Sequence, residues 1–137
     1  MAAFNKFNAF VENGTEVINL GTDQLVVALS NVAPVATNSV LVDITEIAYT
    51  NLSSRNVTTS SSSQTSGTYK LVCADLVLTA SGAVATFRYV VLYSDTPTSP
   101  ADPLIGWWDY GVGGVTLANG ETFTVDFDAT NGVLTVA

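Results

Sequence analysis

The side chains of this chain that could do chemistry are few, and its carboxylates come first. Asp126 and Asp128 stand two apart in TFTVDFD (122–128). An extended backbone would put both on one face roughly 7 Å apart, loosely the separation of a glycosidase acid–base pair. The same alternation of Thr and Asp with Phe and Val is also the ordinary wet face of an amphipathic strand, and no supporting motif accompanies it. Asp95, Asp102 and Asp109 surround a proline-rich segment and offer the hard oxygen donors that calcium takes. Their spacing matches no calcium loop, and turn capping accounts for aspartates in such a segment.

The chain has no histidine, which removes the Ser-His-Asp and Cys-His nucleophile arrangements and most histidine-containing zinc sites. Its single cysteine, Cys73, can form neither an intramolecular disulfide nor a thiolate metal cluster. It lies inside YKLVCADLVL (69–78), where a free thiol packs as a small buried hydrophobe. GVGG (111–114) lacks the Lys-Ser/Thr and the helix of a phosphate loop, and reads as a turn. The residues therefore specify no catalytic, cofactor-binding or metal-ligating centre, and the expectation is a non-enzymatic protein that works through its surfaces.

Charge narrows the surfaces further. Net charge is −8, and the four basic residues, Lys6, Arg55, Lys70 and Arg88, are spread along the chain. Phosphate backbones are held by clustered Lys and Arg, so nucleic acid is not an expected partner, nor is an anionic membrane. Apolar runs such as LVVAL (25–29) fall far short of the roughly 20 residues of a membrane span. MAAFNKFNAF at the start shows no basic region followed by an apolar run, so no signal peptide is visible. Only 12% of residues are charged while 47% are hydrophobic, so Ser, Thr, Asn and Gly must fill the exposed positions of a domain with a real core.

These side chains must be positioned by strands. In 69–78, Tyr69, Leu71 and Cys73 alternate with Lys70, Val72 and Ala74, and the pattern blurs after Asp75. AVATFRYVVLY (83–93) reads as one long strand with Phe87, Tyr89, Val91 and Tyr93 on one face. SDTPTSPADP (94–103) is a loop, since its prolines exclude ladder pairing, and LIGWWDY (104–110) is the next strand, ended by Gly111, Gly113 and Gly114. Asn119-Gly120 and Asn131-Gly132 are hairpin signals; between them Phe123, Val125 and Phe127 face inward, and VLTV (133–136) is expected to pair against that strand. QLVVAL (24–29) is a further strand.

The first half is less regular. Phe4, Phe7 and Val11 in FNKFNAFV have helical spacing, with Phe10 beside them. SVLVDITEIAYT (39–50) begins like a helical turn and ends like a strand. The hydroxyl-rich tract 53–68 reads as an exposed loop with an edge strand through its Thr-rich part. The expected fold is all-β: a single antiparallel β-sandwich domain over 21–137, of jelly-roll type, preceded by an N-terminal arm or short helix over 1–20.

Trp107 and Trp108 are adjacent, so strict alternation sends them to opposite faces. Ile105 is then expected beside Trp107, and Leu104 and Tyr110 beside Trp108, with Gly106 leaving room. One indole belongs to the core; the other, with Tyr110, is an interface candidate, because aromatic residues concentrate at interface cores. Phe4, Phe7 and Phe10 join them as candidates for reaching a neighbour. Exposed aromatics also stack on sugars, which makes Trp107, Trp108 and Tyr110 an alternative carbohydrate platform.

Taken in order, DITEIAYT (43–50), SSSQTSGTYKLV (61–72), FRYVVLYSDTP (87–97), DPLIGWWDYG (102–111) and VTLANGETFTVDFDATNGVLTV (115–136) resemble small virion proteins of tailed bacteriophages and prophages. Within that group, small acidic all-β chains include capsid cement or decoration proteins, some of them jelly rolls. The resemblance implies a homodimer or homotrimer on the outside of an icosahedral shell, made in the bacterial cytoplasm and bridging subunits of the major capsid protein. A tail or neck component is the neighbouring alternative.

Overall fold

A computed structural model describes residues 2–137. In chain order the elements are β1 (Asn5–Lys6), α1 (Phe10–Glu16), β2 (Leu25–Ser30), a short 3-10 helix (Leu41–Asp43), β3 (Asn56–Val57), β4 (Thr59–Thr65), β5 (Thr68–Cys73), β6 (Leu76–Thr79), β7 (Val84–Phe87), β8 (Tyr89–Ser94), β9 (Leu104–Asp109), β10 (Val115–Leu117), β11 (Thr122–Val125) and β12 (Leu134–Val136). The chain is all-β apart from these two short helices, and every ladder is antiparallel.

A five-stranded sheet runs in the order β1-β9-β8-β2-β3. Across the main core from it lie β12-β5-β4 and the pairs β11-β6 and β10-β7. The pairings are nested: β8 meets β9, β7 meets β10, β6 meets β11 and β5 meets β12. The two halves of a long ribbon thus close on each other around the 95–103 loop.

All residues of β2 and β8 are buried because their sheet is covered on both faces. Its inner face sends Leu25, Val27, Leu29, Val90 and Leu92 into the main core, against Leu71, Leu78, Phe87 and Phe127. Its outer face carries Val26, Ala28, Val91, Tyr93 and Leu104, covered by Phe7, Leu41 and Ile44. A clasp holds this cover down. Arg55 lies 3.6 Å above the Tyr49 ring and donates to the Val27 carbonyl at 2.6 Å. The Leu29 N–H donates to the Tyr49 hydroxyl, which donates to Glu46.

Several expected elements differ, each for a local reason. The long strand 83–93 breaks at Arg88, where the chain leaves its ladder with β10 and joins β2 and β9. The Arg88 N–H turns to the Ser30 carbonyl and its guanidinium grips Asp109 through two bonds of 2.7 and 2.8 Å. This break shifts the phase, so Phe87 shares the main core with Val90 and Leu92 rather than with Val91 and Tyr93. The blur after Asp75 is likewise a strand end, where the Asp75 carboxylate accepts the Phe127 N–H.

Asn119-Gly120 and Asn131-Gly132 do reverse the chain, but neither makes a hairpin, and β12 pairs with β5 rather than β11. Turn chemistry fixes a reversal; the nested ladder fixes the partner. The tract 53–68 is mostly strand: β4 forms a hairpin with β5 through Ser66 and Gly67, whose φ angles of 50° and 83° suit a two-residue turn. After the 3-10 helix, 44–50 forms no strand beyond a single bridge from Glu46 to Ser30. Residues 4–11 are not one helix, since β1 pairs with β9 before α1 begins. Asn5 and Lys6 are thus built into the sheet, and the short helix α1 follows them within the first twenty residues.

Cys73 is buried, and burial pushes its thiol up to about 11. The unfolded thiol ionises first, above about pH 8.5, so unfolding releases a proton there and stability falls as pH rises from about 8.5 towards 11. The Tyr49 hydroxyl, raised by burial, continues the trend at higher pH. Urea midpoints followed by circular dichroism are expected to decline across that window, and less steeply in Cys73→Ala. A flat midpoint would contradict the assignment.

Candidate functional site

The adjacent tryptophans are separated by the sheet itself. Trp108 is 4% exposed and enters the main core, with Phe4 at 5.3 Å and Phe127 at 5.7 Å between ring centroids. Trp107 lies on the outer face, half-buried against Phe7 at 4.5 Å. A bulge alters their company. Leu92 lies opposite Gly106 and Tyr93 opposite Leu104, leaving Ile105 as the extra residue. Ile105 therefore joins Trp108 in the main core and Leu104 joins Trp107 outside, the reverse of strict alternation.

Gly106 is the opening through which Phe4 reaches Trp108: a Cβ there would run into the Phe4 ring and stand 2.7 Å from the Asn5 carbonyl oxygen. Tyr110 is on the main-core side, edge-on to Phe123 at 5.0 Å, and burial raises its hydroxyl pKa. Trp107 and Tyr110 thus belong to opposite sides of the sheet, which corrects their expected grouping. The three residues Trp107, Trp108 and Tyr110 do not form one flat stacking platform.

Of the six interface candidates, Phe7, Phe10 and Trp108 are buried within the chain and have almost no surface to offer. Phe4, Trp107 and Tyr110 are half-buried. Phe4 leads to a feature that the sequence did not announce: an apolar groove of about 630 Å³ between α1 and β12. Phe4, Phe10, Val11, Leu20, Leu134 and Val136 line it. It shares Gly14, Leu20 and Val136 with a second depression of about 580 Å³ that reaches Ser62 and Tyr69.

The groove exists because α1 packs through Phe10 alone. The Phe10 ring lies beneath Gly14, where a Cβ would come within 2.8 Å of it. Val11 on α1 is 60% exposed and Val136 on β12 is 56% exposed. In the sequence Val11 has the spacing of a helical stripe and Val136 that of an ordinary strand residue. Their common signal is an apolar side chain close to each end of the chain, and nothing local ties those ends together.

Several charged groups serve the fold. The Asp109 pKa is lowered by its hydrogen bonds with the Arg88 guanidinium, and that of Arg88 is raised by the same contact. Lys70 donates to the Thr130 carbonyl. Lys6, on the groove wall, is the one basic side chain among the described residues without a hydrogen bond or ion pair.

The paired carboxylates of the sequence lie beyond the end of β11 and cap turns. The Asp128 N–H bonds Asp126 at 2.9 Å, and Asp128, at φ 44°, accepts the N–H groups of Thr130 and Asn131. Those bonds, led by that of Asn131, lower the Asp128 pKa. Asp95, Asp102 and Asp109 do not converge, and no cluster of three potential metal ligands occurs among the described residues. Asp102 is raised by burial and then by a hydrogen bond with Asp95, while Asp109 is bound to Arg88. Comparison with family models, characterised proteins and solved structures found no match to this chain.

Proposed function

We propose that this chain is a non-enzymatic virion structural protein that binds the outside of an icosahedral phage capsid and stabilises it by bridging neighbouring major capsid protein subunits. The observation that carries the reading is the open groove between α1 and β12, an apolar slot lined by Phe4, Phe10, Val11, Leu20, Leu134 and Val136. The resemblance of the phrases quoted above to small tailed-phage virion proteins supplies the direction. The partners are the major capsid protein and further copies of the chain itself, as a dimer or trimer. The nested ladder β5–β12, β6–β11, β7–β10, β8–β9 supports reading the fold as a jelly roll.

Reinforcement then has a simple physical source. Each apolar side chain seated in the groove is removed from water at roughly 25 cal/mol per Å², less the cost of association. Repetition around a closed shell multiplies contacts that are individually weak. A net charge of −8 keeps unbound copies soluble.

Quantitative mass spectrometry of purified particles of the encoding phage tests this. A copy number comparable to that of the shell protein is the expected result. A few copies per particle would reassign the chain to the neck or tail, and complete absence would overturn the virion role.

A further inference from the structure

We infer that two copies of this chain join edge to edge through β4, giving a continuous six-stranded sheet β12-β5-β4-β4′-β5′-β12′. β4 is the longest strand of the fold and the outer edge of its sheet. A free edge of this length invites pairing, and proteins that must avoid it place Lys, Pro or inward-pointing charge there. β4 carries none of these. From Asn56 to Tyr69 there is no charged residue and no proline, in a chain of net charge −8. Two copies of so acidic a protein repel at most approaches, and β4 adds no charge to that repulsion. The other edges differ: β1 carries Lys6, β3 has two residues and follows Arg55, β10 and β12 have three, and β6, β7 and β11, though uncharged, have only four.

The ladder also sets the register. In a two-residue hairpin the flanking pair, here Thr65 and Thr68, exchanges both backbone bonds. Ser63 and Ser61 then bond inward to Lys70 and Val72, while Ser62 and Gln64 turn their N–H and C=O groups to the open edge. The bulge between Thr59 and Ser61 ends the regular stretch. An antiparallel two-fold centred on Ser63 sets Ser62 opposite Gln64 of the second copy, and Gln64 opposite its Ser62, so that all four outward groups on each strand are paired. Such an interface is isologous and closes after two copies. The surrounding side chains, Ser61, Ser63 and Thr65, are exposed and small enough to meet without clash.

This inference stands apart from the capsid reading, since a monomer could also bridge subunits through the groove. The test is sedimentation equilibrium on the whole chain with Ser63→Glu as the variant. Within one chain the introduced carboxylate would face Lys70, a favourable cross-strand pair; across the two-fold it would face its own copy. Wild type is expected to sediment as a dimer and Ser63→Glu as a monomer with an unchanged circular dichroism spectrum. Amide exchange on the wild type gives a readout independent of any variant: Ser62 and Gln64 amides should become protected as concentration rises, while Ser61 and Ser63 are protected throughout. A wild-type monomer at every accessible concentration, a trimer, a dimer untouched by Ser63→Glu, or a dimer with Ser62 and Gln64 amides still exchanging freely would each overturn it.

Discussion

Trp108→Ala is expected to destabilise the fold by about 3–5 kcal/mol, the cost of emptying a fully enclosed indole site. Trp107→Ala is expected to cost about 2 kcal/mol or less, since that ring is half-buried and packs mainly on Phe7. The contrast arises because Trp108 is enclosed by Phe4 and Phe127 in the main core, whereas Trp107 lies under the cover of the outer face. Single domains are stable by only about 5–15 kcal/mol, so the first substitution should remove a large share of the total stability and the second a small one. Denaturant unfolding followed by far-ultraviolet circular dichroism separates them, because removing an indole alters fluorescence by itself. Equal costs would mean that the face assignment is wrong.

Gly106→Ala should release the N-terminal strand. The new methyl would occupy the place of the Phe4 ring and press on the Asn5 carbonyl at 2.7 Å, a backbone atom that cannot rotate away. Relief requires β1 to lift from β9, and overpacking of this kind costs about 1–3 kcal/mol. The Phe7 N–H bond to Ile105 at 3.2 Å would be strained with it. Trypsin gives a direct readout, since Lys6 lies in β1. Cleavage after Lys6 is expected to be slow in the wild type and fast in Gly106→Ala, and truncating the ring in Phe4→Ala/Gly106→Ala should restore only part of the resistance. Equal cleavage rates in wild type and Gly106→Ala would show that β1 does not depend on this opening.

What could be read from the sequence follows from how local each cause is. Phe123, Val125 and Phe127 were legible as inward because alternation over a short strand is a property of the strand alone. The hidden place of Cys73 was legible from its type, since a free thiol packs as a small hydrophobe. The company of the two tryptophans was not: one extra residue at Ile105 reverses the phase, and nothing in LIGWWDYG distinguishes a bulge from a straight strand. Arg88 inside AVATFRYVVLY has the pattern of a solvent-facing residue of a long strand, yet it marks the corner, which depends on Asp109 far along the chain. Asn119-Gly120 announced a turn correctly and its strand partner wrongly, because a turn constrains only the residues beside it. The groove was invisible because Val11 and Val136 are brought together solely by the closing of β12 onto β5.

That closing also dictates an order of assembly. In the nested ladder each outer pair needs the inner one to bring its strands near, so the loop at 95–103 is the natural starting point. Val90 can find Trp108 across that loop at once, whereas Leu71 must wait for Leu134. Loop-closure entropy makes the late pairs cheap only after the early ones have formed. On a ribosome the consequence is sharper: the strands from β5 to β8 emerge before β9 to β12, and β5 stays without β12 until nearly the whole chain has been made. During that interval their apolar faces are shielded only by β2, by β4 and by each other. The hydroxyl-rich, uncharged β4 is then a temporary lid for β5 as well as an edge of the finished sheet.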